Sequence, residues 1–65
     1  MIKTAFRFKN NMVVVFDERG KQIPEYQGQY QDVKESILKD APPDAVFSHG
    51  FGTNFDLKVV PRDEW

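Results

Sequence analysis

The chain has 65 residues, nine basic and ten acidic side chains, a net charge of −1 and no cysteine. That allows one small core and excludes disulfides and thiolate-built zinc sites. A pI near 5.7 argues against a dedicated nucleic-acid binder, and no apolar run suits a signal peptide or a bilayer span, so a soluble, cytoplasmic chain is expected.

So short a chain folds on a thin margin, with packing of its six Phe, two Tyr and one Trp, or association, supplying the surplus. Residues 2–9 alternate. Ile2, Thr4, Phe6 and Phe8 point one way, and Lys3, Ala5, Arg7 and Lys9 the other. Asn10-Asn11 tolerates the left-handed backbone of a two-residue type I′ turn, which pairs Phe8 with Val13 and Phe6 with Val15. Residues 12–16, Met-Val-Val-Val-Phe, read as an interior strand. In residues 17–21, Asp first and Gly fourth indicate a type I turn with a Gly bulge, which pairs Val15 with Ile23. Together the turns place Phe6, Phe8, Val13, Val15 and Ile23 on one core face. Pro24 lacks an N–H, which keeps the third strand of this 2–26 meander short and at an edge.

Gly28 breaks that strand and a helix is expected over 29–41. Tyr30, Val33, Ile37 and Ala41 recur at helical spacing beside Leu38, while Lys34, Glu35, Lys39 and Asp40 point outward. Asp32 with Glu35 has the spacing of a capping box, and the helix can also begin one turn earlier. Pro42-Pro43 ends it. Residues 45–60 form a hairpin around Gly52-Thr53-Asn54, with Phe55, Leu57 and Val59 opposed to Asp56 and Lys58. Residues 61–65 are expected to be a fraying polar tail. The expected fold is a single α+β domain over 1–65, an antiparallel sheet in the order βββαββ with one helix on one face.

Chemistry is sparse. His49 is the sole histidine, and its neighbour Ser48 faces the other side of a strand, so the two do not make a nucleophile–base pair. His49 shares its side with Phe47 and Phe51 and reads as a strand histidine at the sheet rim. A metal site would need His49 with scattered acids such as Asp44 or Asp56, a combination too common to signal anything. The run Gly50-Phe51-Gly52-Thr53-Asn54 lacks the spacing, the lysine and the following helix of a phosphate loop. The carboxylates fall at turns and helix ends, and none bracket a cleft. No catalytic residue, metal or cofactor is expected, and the chain is not expected to be an enzyme.

The second face of the meander remains: Lys3, Arg7 and Lys9 beside Met12, Val14 and Phe16, with Tyr26 on the third strand. Aromatics interleaved with cations suit a protein interface, and they also suit a single-stranded nucleic-acid platform. Lysine and arginine stems lying over the apolar residues are the plain structural alternative. The expectation is a small non-catalytic binding or regulatory module acting by protein contact, self-association included, with weak single-stranded nucleic-acid binding as the alternative.

Overall fold

Turns of one kind bracket the second strand. In the computed structural model, which describes residues 1–50 and 57–65, β1 (Ile2–Arg7) and β2 (Met12–Asp17) form an antiparallel hairpin. The Asn11 amide donates to the Phe8 carbonyl and the Phe8 amide to the Met12 carbonyl. This is a type I turn closed by one left-handed residue, Asn11 at φ 66°. The turn after β2 repeats it: Gly20, at φ 79°, donates to the Asp17 carbonyl, and the Asp17 amide donates to that of Lys21.

The first loop therefore holds residues 9–11, one more than the two-residue turn expected. A type I′ turn needs left-handed backbone at two adjacent positions, and the longer loop needs it at one, a smaller steric cost for asparagine. The register slides by one, to Arg7↔Val13, Phe6↔Val14 and Ala5↔Val15. Phe6 and Phe8 leave the core side, and Ala5 and Arg7 take their place. A bulge between Ile2 and Thr4 shifts the phase again, so Ile2 rejoins Ala5 in the core.

The third strand of the meander shrinks to a bridge between Phe16 and Gln22. Pro24–Tyr26 turns as a 3-10 helix, and only Gly28–Gln29 (β3) pairs with β2. The helix α1 (Tyr30–Asp40) matches the expected span to within one residue at each end. No side chain caps its start. Asp32 lies inside the first turn, where a negative charge faces the positive end of the helix dipole.

After α1 the chain returns as β4 (Val46–Gly50), parallel to β1, and β5 (Leu57–Val60) pairs antiparallel with β4. The five-stranded sheet has the order β3-β2-β1-β4-β5, so it is mixed and not the antiparallel βββαββ sheet expected. The helix is the cause: a crossover over one face brings the chain back to the free edge of β1 in the direction of β1. Residues 51–56, where the turn at Gly52-Thr53-Asn54 is expected and where Phe51, Phe55 and Asp56 fall, lie outside the described residues.

The core joins Ile2, Ala5, Val13, Val15 and Phe47 from the sheet to Ile37 and Ala41 from the helix region, with Ile23, Tyr30, Val33 and Leu38 packed around them. Trp65 belongs to it as well, at 2% exposure. The expected fraying tail is instead a 3-10 turn, Arg62–Glu64, that docks. Arg62 donates to the carbonyls of Leu38 and Ala41, acceptors left over at the helix C-terminus, and to that of Pro42, which also accepts from the Ala45 amide. The indole N–H of Trp65 donates to the Ser48 carbonyl at 2.9 Å.

Candidate functional site

The one-residue slip divides the expected interaction face. Met12, Val14 and Phe16 do share a side, the side without the helix. Arg7 faces the helix, its guanidinium 3.6 Å from the centre of the Tyr30 ring. Tyr26 packs against the core, and its hydroxyl donates to Asp40 Oδ2 at 2.7 Å. That bond to a carboxylate, which the phenolate would lose, holds the Tyr26 pKa above 10.0. Lys3 sits at the bulge and pairs with Asp44 at 3.5 Å. Lys9 is exposed in the first loop.

The helix-free face is mostly apolar and largely half-buried, with Thr4 and the buried Ser48 at its centre. Its rows follow from the pairing: Val14–Phe6–Ser48–Val59 runs across four strands, and Phe16–Thr4–Val46 lies beside it. A third row holds Met12, Phe8, Gly50 and Leu57. A methyl group built on Gly50 would meet Leu57 Cδ2 at 3.5 Å and Phe8 Cδ1 at 3.6 Å, so these two side chains close over the glycine. Phe6 and Phe16 meet edge to face with ring centres 5.6 Å apart. No charged residue stands in the three rows. Val59 is 73% exposed, Leu57 39% and Met12 37%. Sequence reasoning missed Phe6, Phe8, Leu57 and Val59 here, because each depended on the loop length or on the strand order.

On the helix side a different row crosses the same end of the sheet: Val13–Arg7–His49–Lys58. His49 lies on the Phe47 side, as alternation requires, and Ser48 on the other. Three groups converge on the main-chain oxygen of Trp65: Tyr30 Oη, which donates at 2.7 Å, Arg7 Nη1, which donates at 3.0 Å, and His49 Nε2 at 3.1 Å. With its proton on Nε2, His49 donates to the Trp65 oxygen; in the other tautomer Nε2 accepts from Arg7 Nη1 at 3.5 Å. The Nε and Nη2 groups of Arg7 both donate to Asn11 Oδ1.

Beside this cluster opens a cavity of about 300 Å³, lined by Arg7, Phe8, Lys9, Asn11, His49 and Gly50. Among the described residues no group of three or more His, Asp or Glu is placed to hold a metal ion, and no helix is long and apolar enough to cross a membrane. No protein-family model, no curated protein and no solved structure matches this chain.

Proposed function

We propose that this protein is a non-catalytic contact module whose helix-free sheet face docks on a second copy of the same chain. The observation that carries this is the three-row apolar surface of Phe6, Phe8, Met12, Val14, Phe16, Leu57 and Val59. Met12, Leu57 and Val59 expose this surface to solvent, and an uncharged exposed apolar patch of this kind is often an interaction site. Its neutrality favours a like partner: a two-fold interface sets each patch against its own copy, and a charged patch would repel itself. Four strands about 4.8 Å apart and three rows about 6.7 Å apart cover roughly 400 Å² per copy. A pair then buries about 800 Å², below the ~1,200 Å² of stable specific complexes, so the dimer is weak and concentration-dependent.

The nucleic-acid alternative has less support, because Phe16 and Arg7 lie on opposite faces and the phenol of Tyr26 is turned to Asp40. A cysteine-free chain of this kind suits a reducing compartment such as the cytoplasm.

Sedimentation equilibrium tests the pairing. The weight-average mass of the wild type should climb from 7.6 kDa toward twice that value as concentration rises. Val59→Lys, at a position already 73% exposed, should remain folded and monomeric. A wild type that stays monomeric to millimolar concentration, or a variant that associates as the wild type does, would refute the proposal.

A further inference from the structure

The cavity at the carboxyl ends of β1 and β4 shares Phe8 and Gly50 with the third apolar row, but its polar residues Arg7, Lys9, Asn11 and His49 take no part in the proposed dimer. Parallel strands that part company at their ends leave a crevice, and such crevices are where open sheets accept ligands. Here β1 and β4 are the parallel pair, ending at Arg7 and Gly50, and both contribute to the walls.

Among the described residues the wall chemistry has one sign: Arg7 and Lys9 line the cavity with His49 and Asn11, and no described Asp or Glu does. The described ion pairs, Met1 with Glu18 and Lys3 with Asp44, do not involve either cation. Arg7 is held before any ligand arrives. Its plane lies on Tyr30, and Asn11 Oδ1 and the Trp65 oxygen fix its edge. A guanidinium has five N–H groups, and those bonds occupy three of them. Asn11 uses its oxygen on Arg7, which leaves its amide –NH₂ as a donor on the outer side. Lys9 adds a mobile ammonium from the same loop. Phe8 and Gly50 supply an apolar wall.

We propose that this cavity binds an oxyanion, and that a small phosphomonoester is the ligand class it fits. A preset guanidinium edge with an ammonium and an amide beside it matches a dianion with three terminal oxygens. At about 300 Å³ the space exceeds a bare phosphate and stands at the small end of organic-ligand sites, with Phe8 beside the organic portion.

The test is an amide-resolved NMR titration at low salt with phenyl phosphate, inorganic phosphate and, as neutral control, benzyl alcohol. Saturable shifts at residues 7–11 and 49–50 with either phosphate, reversed by added salt, support the site. Tighter binding of phenyl phosphate assigns an organic ester, and equal binding assigns free phosphate. Lys9 is exposed, so Lys9→Glu should fold normally and weaken binding by about tenfold. Lys21→Glu, the same charge change in the other turn, should leave affinity within about twofold. The proposal is overturned by any of three results: no saturable shift at these residues, equal response to benzyl alcohol, or equal losses in the two charge variants.

Discussion

Replacing Trp65 with alanine should cost this protein most of its stability. The side chain is 2% exposed, lies 5.0 Å from the Phe47 ring and 5.4 Å from that of Tyr30, and donates its indole N–H to Ser48. Truncating a buried tryptophan costs about 3–5 kcal/mol, and a core of this size supplies no more than about 3–5 kcal/mol in total. Trp65→Ala should therefore be largely unfolded at room temperature. Trp65→Phe keeps an aromatic ring on Tyr30 and Phe47 and loses the indole donor, for a cost of about 1–2 kcal/mol. Urea unfolding followed by far-UV circular dichroism measures both. A loss under about 1 kcal/mol in the alanine variant would refute the docked tail. So would wild-type tryptophan emission typical of full exposure to water.

Three further perturbations probe the turns and the helix end. Asn11 alone holds the left-handed position of the first loop and accepts from Arg7, so Asn11→Ala should cost about 1–2 kcal/mol. Asn10→Ala removes only a bond to the Met12 amide and should cost about 0.5 kcal/mol; equal costs in the two variants would favour the two-residue turn. Arg62→Ala removes the donor to the Leu38 and Ala41 carbonyls, while Pro42 keeps the Ala45 amide, and should lower stability by about 2 kcal/mol in the same urea assay, with no change contradicting the cap. Asp17 accepts from the amides of Lys21 and Arg19, which hold its pKa below 3.8. Its folded pKa is depressed, so its contribution is present above the ordinary carboxylate value and disappears as pH falls through the lower folded one. Asp17→Asn should flatten the dependence of the urea midpoint on pH as pH falls through and below the ordinary carboxylate value, and parallel curves would contradict this.

Much of the fold was legible residue by residue. The helix emerged from the spacing of Tyr30, Val33 and Ile37, and the second turn from Asp17 and Gly20, because both signals are local and steric. Loop length at Asn10-Asn11 was not legible: asparagine suits either turn, and one residue decides which side of the sheet faces the helix. That ambiguity moved Phe6 and Phe8 from the expected core to the open face and carried Arg7 inward. The parallel β1–β4 pair was equally hidden, since strand order depends on where the helix delivers the chain and no local residue records that. Trp65 left a weaker trace. A large aromatic three residues after Arg62 is all the sequence records; that Arg62 reaches the helix end and Trp65 the core is tertiary docking, which no local residue encodes.

The most direct test of the contact-module account is an isotope-filtered NOESY experiment on an equimolar mixture of labelled and unlabelled protein at high concentration. Contacts between different molecules should involve the methyl groups of Met12, Val14, Leu57 and Val59 and the rings of Phe6 and Phe16, with the helix side silent. Spectra without intermolecular contacts at millimolar concentration, or with contacts confined to the helix side, would contradict it.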